Sequence, residues 1–130
     1  MNVGNDLQWR EESDGATRRA AWRSLVENPQ TGTAYTLALT DEFDLVSMDN
    51  AAENVLTIPT NATVAFFIGT QILVGRKGLG ATQIKGDVEV TVNGIPAGEA
   101  NILDQWGMVT LMKIGADTWW VVGGLSGAFS

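Results

Sequence analysis

The stretch from Met108 to Gly124 reads MVTLMKIGADTWWVVGG. Two runs of strand-forming residues, MVTLMKIG and DTWWVVGG, meet at the turn-like KIGAD. Val, Ile, Thr and Trp suit a pleated sheet, and Gly and Asp suit a turn. Adjacent side chains on a strand point to opposite faces. Trp119 therefore shares a face with Val121, and Trp120 shares the other with Val122. We assign Trp119 to the domain core. That leaves Trp120 and Val122 on an outer face, with two readings. Tryptophan is enriched at interface centres, so they are candidates for self-association around a symmetry axis. Alternatively, one subunit covers both faces of its own sheet.

The same texture extends upstream. YTLALT (Tyr35–Thr40), FDLVSM (Phe43–Met48), NVLTIP (Asn54–Pro59), QILVGR (Gln71–Arg76), ATQIKG (Ala81–Gly86) and DVEVTVNG (Asp87–Gly94) are short strand-like runs. Glycine-containing turns such as GRKGLG and VNGIPAGE punctuate them. About eight short strands spaced in this way predict an all-β domain. The expected form is an antiparallel sandwich or barrel, jelly-roll-like, over residues 31–130. Residues 1–30 differ in texture. GATRRAAWRSLVEN (Gly15–Asn28) predicts a short helix capped by Ser13 or Asp14 and ended by Asn28-Pro29. Arg18, Trp22, Leu25 and Val26 fall on one face of it. A lone helix of this length is marginal in water and needs a surface to lie on, so residues 1–30 read as an anchoring arm.

The chain has 130 residues, no cysteine and no histidine, and a net charge of −7. Thiolate chemistry is excluded, and the commonest general base and metal ligand are missing. Residues 31–130 carry four Lys/Arg against ten Asp/Glu, net −6. An acidic body matches phosphate backbones poorly, which argues against a nucleic-acid partner. There is no apolar run long enough to span a membrane. The start, MNVGNDLQWREE, lacks the basic and apolar regions of a signal peptide.

Three stretches invite chemistry. GRKGLGAT (Gly75–Thr82) has glycines and a lysine, but not the spacing or the following helix of a phosphate loop; a hairpin turn is expected. Asp41, Glu42 and Asp44 form an acidic cluster without the glycine and distal Glu of a calcium loop, and a solvated turn is expected. NATVAFFIGTQI (Asn61–Ile72) breaks the alternation. It reads as a crossover plugging the end of the β-domain, with at least one phenylalanine buried, or as an apolar surface for another subunit.

These residues also carry a resemblance. TGTAYTLALTD (Thr31–Asp41), NVLTIPTNATVAFFIGTQI (Asn54–Ile72) and VTLMKIGADTWWVVG (Val109–Gly123) resemble a small β-domain that recurs in tailed-bacteriophage virion proteins. The pattern has a tyrosine strand ending in Asp, a T-I-P strand end, G-T-Q-I, and a closing L-x-K-x-G-x-D-x-W-x-x-x-G, whose tryptophan matches Trp119. It spans residues 31–124. The resemblance implies a virion structural protein, often trimeric. The expected role is a head-decoration (cement) protein on the capsid surface, its partner the major capsid protein or another virion protein. Trp9, Arg18, Arg19, Trp22, Arg23 and Leu25 would contact the capsid, and Trp120 and Val122 a second copy. The alternative is a tail or fibre-tip protein binding a host receptor or glycan. An enzyme, such as a carboxylate-based glycosidase, stands behind both. No catalytic residue, cofactor or metal is expected.

Overall fold

The computed structural model describes residues 24–102 and 104–126. Twelve strands lie among them: β1 (Glu27–Gln30), β2 (Ala34–Thr36), β3 (Leu45–Met48), β4 (Asn54–Ile58), β5 (Gln71–Arg76), β6 (Thr82–Gly86), β7 (Thr91–Val92), β8 (Ile95–Pro96), β9 (Glu99–Ile102), β10 (Met108–Gly115), β11 (Thr118–Gly123) and β12 (Leu125–Ser126). They form a seven-stranded sheet in the order β1-β3-β5-β10-β11-β7-β8 and a five-stranded sheet in the order β12-β9-β6-β4-β2. The all-β expectation holds.

The pairing departs from a purely antiparallel sandwich. From β1 to β6 the chain alternates between the two sheets. The connections 31–33, 49–53 and 77–81 carry it one way, and 37–44 and 59–70 bring it back. A strand that re-enters its sheet after a full circuit runs in its original direction. Hence β1, β3 and β5 are parallel neighbours in one sheet, and β2, β4 and β6 in the other. Parallel pairs need a crossover, and here each crossover is a strand of the opposite sheet. The later strands turn back: β10 is antiparallel to β5, and β9 to β6. Of the expected hairpins, β10–β11 and β7–β8 form. The second turns on Asn93-Gly94, both at positive φ, the backbone that a tight two-residue turn requires.

β1 also revises the expected helix. Glu27 and Asn28, its last two residues, are extended and pair with Leu45 and Val46. Ser24–Val26 are not helical either, and residues 15–23 lie outside the described residues. Pro29 explains the ending: with no N–H to give, it suits an edge strand.

The core lies between the sheets. Val46, Met48, Ile72, Val74, Val109, Leu111, Trp119 and Val121 meet Leu56, Ile58, Ile84 and Ile102, all buried. Trp119 is 1% exposed, as its assignment to the core required. Phe66 is buried edge-on against it, with ring centroids 5.7 Å apart. Its neighbour Phe67 is 79% exposed, so the 59–70 loop plugs the core with one phenylalanine and presents the other. A cation completes the plug. The buried Lys113 of β10 donates to Asn61 Oδ1 at 2.6 Å and to the Phe66 carbonyl at 2.8 Å. Asp117 accepts the Asn61 N–H at 2.7 Å. Burial lowers the Lys113 pKa, against the opposing pull of Asp117.

Candidate interaction surface

Register builds the outer face of the seven-stranded sheet row by row. Leu45 sits beside Leu73, Leu73 beside Thr110, and Thr110 beside Val122. In the next row Gln71 sits beside Met112, and Met112 beside Trp120. Met108 and Ile114 extend the face along β10, and both are exposed. Trp120 is 55% exposed, and Val122 is exposed beside it. Both expected self-association residues are thus on the outer face. None of the outward positions of β5, β10 and β11 carries a charge (Gln71, Leu73, Gly75, Met108, Thr110, Met112, Ile114, Thr118, Trp120, Val122). With Leu25 and Phe43 at its margin, the exposed apolar residues form a continuous patch, the kind of surface that marks interaction sites.

The face is grooved. Thr110, Met112, Trp120 and Val122 line one groove of ≈ 170 Å³. Leu25, Phe43, Asp44, Gln71, Leu73 and Thr110 line a second of ≈ 170 Å³. A larger open cleft of ≈ 450 Å³ runs between the Asn93-Gly94 turn, Ile114, Thr118 and the two tryptophans. Asn93 does not face that cleft as a free amide. Its side chain accepts the Val121 N–H at 2.8 Å and donates to the Val121 carbonyl at 3.0 Å, extending the β11 ladder by one residue.

The outer face of the five-stranded sheet is polar. Its rows run Ala34–Val55–Gln83–Asn101 and Thr36–Thr57–Lys85–Glu99. Lys85 pairs with Glu99 at 3.4 Å, and Gln83 donates to Glu99 at 2.8 Å.

The other singled-out residues resolve into structural roles. Asp41 and Asp44 are buried, which corrects the solvated-turn expectation. Asp41 Oδ2 accepts the Tyr35 hydroxyl at 2.6 Å and the Ala38 N–H at 2.8 Å, and Oδ1 accepts from Asn28 at 2.9 Å. Burial first, then the Asp41 carboxylate, pushes the Tyr35 pKa up to about 12. Asp44 Oδ1 accepts the Val26 N–H at 3.0 Å. These bonds hold β1 and the turn before β3 together.

The GRKGLG stretch is an arch from β5 to β6, between sheets, rather than a hairpin. Its Arg76 donates to the carbonyls of Gly78, Leu79 and Ile102. Lys77 is committed to Glu27, and that bond, with one from Ser47, holds the Glu27 carboxyl below its usual range. Gly80 packs so closely that a Cβ there would lie 1.9 Å from the Ala52 carbonyl oxygen. These glycines let the arch pack directly on the backbone of Asn50 and Ala52.

Of the expected capsid-contacting residues, Leu25 is exposed at the margin of the apolar face. Trp9, Arg18, Arg19, Trp22 and Arg23 lie outside the described residues. The sequence reading overlooked Leu73, Met112 and Ile114 as surface residues. Their signal was present: ILV (Ile72–Val74) and the MVTLM run (Met108–Met112) are apolar on both alternating faces, the pattern of strands covered on both sides. No family model, curated protein or solved structure matches the chain.

Proposed function

We propose that this chain is an assembly protein that self-associates through the outer face of its seven-stranded sheet. The observation that carries the reading is the charge-free apolar face around Trp120, Met112 and Val122, set against a polar face on the opposite sheet. The edges of that sheet favour face over edge: Pro29 lies on β1 and Pro96 on β8, its two edge strands. Proline removes an N–H and so weakens strand-to-strand addition. A closed oligomer, such as a trimer, would take part of this face out of water.

The resemblance of residues 31–124 to virion β-domains gives this assembly its setting: a bacteriophage head-decoration protein joining neighbouring capsid subunits. A protein that binds only the assembled shell stabilises it by mass action, and an oligomer binds with higher avidity than one copy. The second reading, a tail or fibre tip that binds a glycan, draws on Trp106, 71% exposed in a loop and held at φ 70. Copy number per particle, measured by gel densitometry against the major capsid protein, separates the two. Hundreds of copies support head decoration. A handful would assign the chain to the tail, and none would remove it from the virion.

A further inference from the structure

The plug over the core brings two reactive side chains together. Lys113 lies on the inward face of β10, beside Trp119 in register, and is 1% exposed. Its Nζ lies 2.6 Å from Asn61 Oδ1 and 2.8 Å from the Phe66 carbonyl oxygen. Both of these partners are neutral. Burying an ammonium against neutral groups is costly. Burial accordingly lowers the Lys113 pKa, with Asp117 opposing it. The free amine that this favours is a nucleophile.

The backbone holds both groups in place. The Lys113 N–H donates to the Thr70 carbonyl at 2.9 Å, and the Lys113 carbonyl accepts the Gly69 N–H at 2.8 Å. The Asn61 N–H donates to Asp117 Oδ1 at 2.7 Å, in the turn between β10 and β11. A carbonyl bond is about 1.23 Å long, so Nζ lies no more than about 3.8 Å from Asn61 Cγ. Amine and amide carbon therefore stand close to the separation of a near-attack conformer, about 3–3.5 Å. Such positioning supplies much of what an otherwise slow reaction between two groups lacks.

We propose that Lys113 and Asn61 join through an isopeptide bond. The Nζ lone pair attacks Cγ to give a tetrahedral centre. The Cγ–Nδ2 bond then breaks, a proton passes from Nζ to Nδ2, and ammonia leaves. One amide replaces another, so the step needs no oxidant or co-reactant. It also removes a buried charge, because the ammonium proton departs into water with the ammonia. The new amide keeps one N–H, available to the Phe66 carbonyl. The bond spans residues 61 to 113 and fastens the 59–70 loop to β10. It gives a chain without cysteine a covalent cross-link, which stabilises chiefly by restricting the unfolded state. The Lys113 titration then belongs to chains not yet linked. The proposal is independent of self-association.

The test is the intact mass of the purified full chain, at purification and after prolonged incubation at mildly alkaline pH. The linked chain is expected to be lighter than its sequence mass by one ammonia, about 17 Da, the loss that marks amide capture by a lysine amine. A branched tryptic peptide carrying Asn61 and Lys113 locates the bond. Lys113→Arg and Asn61→Ala should both keep their full mass. The wild-type measurement needs no variant, so it survives a substitution that fails to fold. A folded wild type that keeps its full sequence mass throughout overturns the proposal. So does a loss of ammonia mapped elsewhere, such as ring closure at Asn93-Gly94.

Discussion

The outer faces of the two sheets are built on the same pleat and differ in chemistry. On the five-stranded sheet, Gln83, Lys85, Glu99 and Asn101 bond one another or face water. On the seven-stranded sheet, the corresponding positions are Leu73, Met112, Trp120 and Val122. Folding asks only that the inner faces be apolar, and both sheets meet that demand. The polar sheet shows an outer face built from side chains that water or one another can satisfy. The apolar one carries exposed hydrophobic area that the sandwich does not need, and that surplus supports the assembly reading proposed above.

Adjacent tryptophans give the sharpest way to break this comparison. Trp119→Ala should lower folding stability by about 3–5 kcal/mol, the range for removing a large aromatic from a packed core. Trp120→Ala, one residue away and on the outer face, should cost the dilute monomer no more than about 0.5 kcal/mol. Denaturant melts of both variants at low concentration check this. Equal losses would mean that the outer face is part of the monomer's core.

Next in size is the polar joint that fastens β1 to the domain. Tyr35→Phe removes a donor from buried Asp41 and should cost about 1–3 kcal/mol. It should also change the pH profile. Tyr35 titrates near 10 in the unfolded chain and at about 12 in the folded one. Its contribution is present below pH 10 and lost as pH rises through 12, so the wild type should lose stability across that window more steeply than the variant. Parallel profiles would contradict the Tyr35–Asp41 assignment.

The inward-facing Lys113 has the opposite sign. Burial lowers its pKa in the folded chain below the unfolded value of 10.5. Between those two values the unfolded chain binds more protons, so stability rises with pH there. Lys113→Met should flatten the rise, as read from urea midpoints as pH approaches 10.5 from below. A rise unchanged in the variant would assign it to another group.

The smallest effect belongs to the polar face. Lys85→Ala breaks an exposed pair with Glu99 and should change stability by less than about 1 kcal/mol. A larger loss in the same melts would mean that this face also carries a folding role.

Period-2 alternation made the inner and outer faces legible from the sequence, including the division of Trp119 from Trp120. It could not reveal the parallel pairing. QILVGR and NVLTIP look the same whether they pair as a hairpin or stack after a full circuit, because alternation records facing and not direction. Asp41 and Lys113 were obscure for a related reason. A charged residue within a strand or turn reads as solvent-facing until its partners are known. Here those partners, Tyr35 with Ala38 and Asn61 with the Phe66 carbonyl, depend on tertiary packing. Leu73 and Met112 were legible in principle, through runs apolar on both faces.

The most direct test of the central claim is the solution mass of the full chain, by light scattering over a concentration series, alongside Met112→Lys. The single chain weighs 13.9 kDa. Self-association through the outer face predicts a mass at a small multiple of that value, returning to one chain in the variant while the fold is kept. A wild type that stays at 13.9 kDa at every concentration, or an oligomer that tolerates a lysine at position 112, would contradict it.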